Sequence, residues 1–127
     1  MKPIKILYDI QHDEFSSHIK KKVSKISKEI ERNIDLEICD GVDLISLLKK
    51  DTSYNFVMLH VGGNPDGACR QAKKCQEFYH GVLIAESNFF PYQEEFIKNY
   101  FNEYIPSLMQ NPNHLKNVFQ KYRFIFL

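Results

Sequence analysis

Asn55-Phe56-Val57-Met58-Leu59-His60-Val61, followed at once by Gly62-Gly63-Asn64-Pro65-Asp66-Gly67, decides the fold. The first seven residues are apolar nearly throughout, with only His60 polar near the end. The next six are turn formers. A short apolar run closed by glycine and proline reads as a strand buried on both faces. Such strands belong to parallel sheets with helices on either side.

Working outward supports this. Just upstream, Leu44, Ile45, Leu47 and Leu48 form a short helix ending at Lys49-Lys50-Asp51, with Asp40-Gly41 as its turn and Asp40 placed to cap it. Residues 35–39 alternate polar and apolar, as in a strand nearer an edge. Before them, Phe15, Ile19, Val23, Ile26 and Ile30 recur at helical spacing, with Lys20, Lys21, Lys22, Lys25 and Lys28 on the outer face. Asp13 or Ser16 is placed to cap that helix. Residues 4–10 are an apolar strand containing Asp9.

Downstream, residues 68–79 read as a modest helix and residues 81–85 as a fourth strand, followed by Glu86-Ser87-Asn88. Pro91 opens a long helix to about Leu108, with Phe96, Ile97, Tyr100, Phe101, Tyr104, Ile105 and Leu108 on its apolar side and Pro106 ending or kinking it. A short helix follows at 115–121, and residues 123–127 are a possible last strand. The expected fold is a single α/β domain over 1–127: three layers, α-β-α, around a mainly parallel sheet of four or five strands.

Composition sets the outer limits. With 43% hydrophobic and 26% charged residues the chain can bury a core, and its net charge of +1 argues against a surface given over to a polyanion. Cys39, Cys69 and Cys75 are odd in number and lack CxxC spacing, so buried thiols in a reducing cytoplasm are expected. The first residues lack a signal-peptide pattern, and no segment approaches the ~20 apolar residues of a bilayer span.

Ligands of open parallel sheets bind outside the carboxyl ends of the strands. That rule selects Asp9, with Gln11, His12 and Asp13 beyond it; Cys39 and Asp40; His60, Gly62, Gly63, Asn64 and Asp66; and Glu86, Ser87 and Asn88. His60 is the candidate catalytic group, because imidazole titrates near neutrality; the alternative is a histidine satisfied by hydrogen bonds. Gly62-Gly63 either lets amides approach a small anion or is a plain turn. Asp9, Asp40 and Glu86 either gather around a divalent cation or cap helices and face water. Cys39 is either a thiol of lowered pKa or an inert buried one.

No zinc-ligand spacing and no nucleophile elbow is present, and no motif names a cofactor. The lysine face of the first helix lacks interleaved aromatics or arginines, so a solvated face is expected there rather than a nucleic-acid partner. The aromatic run Phe89, Phe90, Tyr92, Phe96, Tyr100, Phe101 and Tyr104 is richer than one helix over a small sheet needs; Phe96, Tyr100, Phe101 and Tyr104 serve either core packing or a partner or homodimer interface.

Val57-Met58-Leu59-His60-Val61 with Pro65-Asp66-Gly67 resembles the apolar strand, phosphoacceptor and Pro-Asp-x-Asp-Gly stretch of response-regulator receiver domains, a flavodoxin-like family. Lys5-Ile6-Leu7-Tyr8-Asp9 resembles the family's opening strand and acidic turn, and Ser87 falls where receivers keep Thr or Ser. The resemblance covers the chain to about residue 105. The departures bear on function. His60 stands where the phosphoaccepting Asp belongs, only Asp9 matches the acidic pair, and no Lys-Pro follows a fifth strand. The resemblance therefore implies a degenerate, non-enzymatic receiver-like domain acting through protein contacts. The alternatives are a small nucleotide- or phosphate-binding enzyme using His60, and nucleic-acid binding through the first helix.

Overall fold

Residues 2–10, 15–87 and 98–126 are described by a computed structural model. The strands are β1 (Ile4–Asp9), β2 (Ile34–Cys39), β3 (Phe56–Val61), β4 (Val82–Ser87) and β5 (Glu103–Pro106). The helices among the described residues are α1 (Ser16–Ile30), α2 (Gly41–Lys50), α3 (Pro65–Cys75) and α4 (Asn113–Lys121). The sheet order is β2-β1-β3-β4-β5, and every neighbouring pair is parallel. That is the doubly wound, flavodoxin-like order, with the reversal point beside β1 and β3.

Strand parity divides the core in two. Side chains alternate across a strand. Ile4, Ile6 and Tyr8, with Phe56, Met58, Val82 and Ile84, face α1 and α4 and pack on Ile19, Val23, Ile26, Leu115, Val118 and Phe119. Leu7, Val57, Leu59, Val61, Leu83 and Ala85 face the other way, onto Leu44 and Leu48 of α2 and Ala68, Cys69, Ala72 and Cys75 of α3. β3 is buried on both faces, as its unbroken apolar run requires. β2 half-buries Ile34, Leu36 and Ile38 on one face and keeps Asp35 and Glu37 of the other exposed, as suits an edge.

Caps fix where the helices begin. Asp40 accepts hydrogen bonds from the amides of Val42 and Asp43 at the start of α2. Asn64 accepts one from Gly67, and Pro65 opens α3. α1 follows Phe15 without a side-chain cap, so Ser16 does not cap it; Asp13 lies outside the described residues.

The chain departs from its sequence reading in two places. Residues 98–108, expected at the end of a long helix, instead make a turn and β5. Phe101 packs into the α2–α3 core, while Ile105 and Leu108 pack into the α1–α4 core. One helical face cannot serve both sides of a sheet, whereas a strand can. Pro106 costs no ladder bond that matters at the end of an edge strand. Residues 91–97, including Phe96, lie outside the described residues. The expected last strand is a single 3-10 turn, Arg123–Ile125. There the Arg32 guanidinium donates to the carbonyls of Lys2 and Phe126, and Phe126 stacks edge-on to Phe56 and Phe119.

Candidate functional site

His60 and Glu86 are register partners on β3 and β4. Their side chains meet on the α1–α4 face, with His60 Nδ1 at 2.5 Å from Glu86 Oε1. A carboxylate offers only acceptors, so Nδ1–H donates. Glu86 is 1% exposed and takes two further hydrogen bonds: the Tyr8 hydroxyl donates to Oε1 at 2.7 Å, and the Leu108 amide donates to Oε2 at 2.8 Å. A buried carboxylate must be satisfied in this way, because desolvation without partners costs several kcal/mol.

This arrangement sets the electrostatics. The hydrogen bond to Glu86 raises the His60 pKa above its ordinary value; burial opposes this, and the charges of Glu86 and Asp9 assist it. Burial, and then the neighbouring Glu86, push the Tyr8 hydroxyl far up, so it remains a donor.

The three groups open onto a cavity of about 340 Å³ lined by Ile10, Phe15, Ile19 and Met109 on its apolar side and by Ser107 and Gln110 beside His60. Ser107 is 2% exposed, and its Oγ accepts from the Met109 amide. Among the described residues no hydrogen bond joins Ser107 to His60, so a nucleophile and its base are not assembled here.

Among the described strand-end residues, Gly62 lies beside His60, where a methyl group on it would sit 4.0 Å from ring atoms Cδ2 and Nε2, while the acids other than Glu86, and Ser87, lie elsewhere. Asp9 and Ser87 are buried on the opposite face by strand parity. Asp9 lies against α2, where a methyl group on Gly41 would sit 3.3 Å from its Oδ2. Asp40 is occupied as a cap, as is Asn64. Of the two readings of Asp9, Asp40 and Glu86, a shared cation does not fit, because the sheet lies between Asp9 and Glu86, and the capping reading fits Asp40. Neither Gly62 nor Gly63 has a positive φ, so the left-handed step of an amide nest is absent there. Gln11, His12, Asp13 and Asn88 lie outside the described residues.

Of the two readings of Cys39, the inert buried thiol agrees with its surroundings. Burial first, then the charges of Asp9, Asp40, Glu37 and Asp43, push its thiol up to about 12, the opposite of an activated cysteine. Of the aromatic candidates, Phe101 is 7% exposed and belongs to the core, Tyr104 is partly buried against the same core, and Tyr100 is exposed. Tyr8 and Ser107 escaped the sequence reading. The even-numbered parity shared by Ile4, Ile6 and Tyr8 is the signal that places Tyr8 beside Glu86.

No family model and no curated protein matches the sequence. Solved structures do resemble it in fold. A response regulator of red-light signalling in R. palustris aligns over 95% of this chain and 94% of its own, with a TM-score of 0.63 at 16% identity. An orphan response regulator of H. pylori aligns over 90% and 94%, with a TM-score of 0.56 at 13% identity. A chain carrying a yeast trimeric coiled-coil segment fused to another structure aligns over 97% and 81%, at 0.69 and 13%. The fold is receiver-like. No helix among the described residues is long and apolar enough to cross a membrane.

Proposed function

We propose that this chain is a receiver-like signalling module that works through protein contacts and does not undergo aspartyl phosphorylation. One observation carries the reading. The end of β3, where the resemblance places a phosphoaccepting carboxylate, holds His60 tied to buried Glu86. An imidazole cannot form an acyl phosphate. Asp9 lies across the sheet and Asp40 caps α2, so neither joins Glu86 to hold the cation that stabilises phosphoryl transfer. Ser107 follows β5 where the family keeps Lys-Pro. The likeness to response regulators supports the signalling part, and a second copy of the chain is one candidate partner.

A nucleotide- or phosphate-binding enzyme receives less support, because the glycine turn forms no nest and, among the described residues, no acid pair converges on His60. The test is incubation of the full chain with acetyl phosphate and Mg²⁺, followed by intact-mass measurement. The reading expects no phosphoryl increment. A hydroxylamine-labile acyl phosphate on Asp9, or an acid-labile phosphoryl group on His60, overturns it.

A further inference from the structure

The cavity beside His60 has a polarity that selects a ligand. Its walls are Ile10, Phe15, Ile19 and Met109, and its polar end is His60 with Ser107 and Gln110. At about 340 Å³ it holds roughly ten water volumes, enough for a compact small molecule.

The acid in this cavity is not open to a cation. Both Glu86 oxygens are occupied, by the Tyr8 hydroxyl, His60 Nδ1 and the Leu108 amide. What the cavity offers is donors. With Nδ1 committed, the ring's remaining nitrogen is Nε2. Ser107 Oγ accepts from the Met109 amide, which leaves its own hydrogen to donate. An apolar body with an acceptor head is the complement of such a site.

We propose that this cavity binds a small monocarboxylate with an apolar body, its carboxylate received by His60 and Ser107 and its body by Ile10, Phe15, Ile19 and Met109. The imidazole then stands between two carboxylates, Glu86 on one nitrogen and the ligand on the other. This inference goes beyond the proposed function and holds whether or not the module contacts a partner.

Binding depends on pH through His60. Among the described residues, the charged groups acting on it are Glu86 from β4 and Asp9 from β1, with the Tyr8 hydroxyl sharing Glu86; Phe15, Ile19 of α1, and Ser107, Met109 and Gln110 after β5 line the same cavity and do not titrate. The hydrogen bond to Glu86 raises the His60 pKa, and affinity falls as pH rises through it and the ring proton is lost.

The test is calorimetric titration of the full chain with octanoate, octanamide and octylamine. Octanoate is expected to bind with a Kd below about 1 mM. Octanamide is expected about tenfold weaker, and octylamine weaker still. Raising the pH from about 6 to about 9 should weaken octanoate alone. Met109→Trp, which fills the cavity without touching the charged pair, should abolish binding, and His60→Gln should cut it about tenfold. Should His60→Gln fail to fold, the three ligands on the unaltered chain still decide. The proposal is overturned by no saturation with octanoate at about 10 mM. It is equally overturned by octanamide or octylamine binding as tightly as octanoate, or by binding that survives Met109→Trp.

Discussion

His60 and Glu86 stand opposite one another on adjacent parallel strands, and the imidazole closes on a carboxylate that is 1% exposed. The pair ties β3 to β4 at the end of the sheet where ligands of this fold class bind. Removing one partner of a buried pair leaves the other uncompensated. Glu86→Leu should therefore cost about 3 kcal/mol, because His60, Tyr8 and the Leu108 amide all lose their acceptor. Urea unfolding measures it; a loss below about 1 kcal/mol would place the pair outside the stabilising core.

The same pair gives stability a pH dependence of defined sign. The folded-state His60 pKa is raised above the unfolded value near 6.5. Its contribution is then fully present below about 6.5 and is lost as pH rises through the folded pKa. Unfolding free energy should fall between about pH 6 and pH 9, and the fall should shrink in His60→Gln. Equal slopes in the two proteins across that window would contradict the assignment.

The cysteines should be inert in the folded chain. Burial pushes the Cys39 and Cys75 thiols up to about 12, and all three cysteines are buried. Iodoacetamide at pH 8 should label them slowly until denaturant is added, when all three react. Rapid native labelling of Cys39 would restore the activated-thiol reading.

Gly81 tests the packing at the start of β4. A Cβ there would lie 2.1 Å from the Tyr79 hydroxyl oxygen, which donates to the Tyr54 carbonyl from a buried position. The ring cannot yield without losing that bond. Gly81→Ala should cost about 2 kcal/mol in chemical denaturation; a neutral substitution would show that the ring relocates freely.

Phe101 separates core from interface. At 7% exposure its truncation to alanine should cost about 3 kcal/mol, while Tyr100→Ala at 37% exposure should change stability by less than about 0.5 kcal/mol. Light scattering on both variants reads assembly. An unchanged stability for Phe101→Ala with a loss of self-association would reassign Phe101 to a partner surface.

Much of this architecture was legible because burial on two faces leaves a plain mark. The unbroken run from Phe56 to Val61 and the stripe from Ile19 to Ile26 each place one strand or helix. β5 was not legible, because Phe101, Tyr104, Ile105 and Leu108 sit at spacings that a helix would place on one face, while the protein sends them to two cores. Pro106 was the available clue, since it suits an edge strand. The site was half legible. His60 and Glu86 stand out as polar ends of apolar runs, but strand-end position alone gives no parity. Only register shows that Tyr8 joins Glu86 while Asp9 faces α2.

The hydrogen bond from the His60 imidazole to buried Glu86 raises the ring's pKa, and nitrogen-detected NMR of the His60 ring reads that shift directly. Across a pH titration the ring should titrate with a midpoint above about 6.5 that drops in Glu86→Gln. A midpoint at or below about 6.5, or one indifferent to Glu86→Gln, would contradict it.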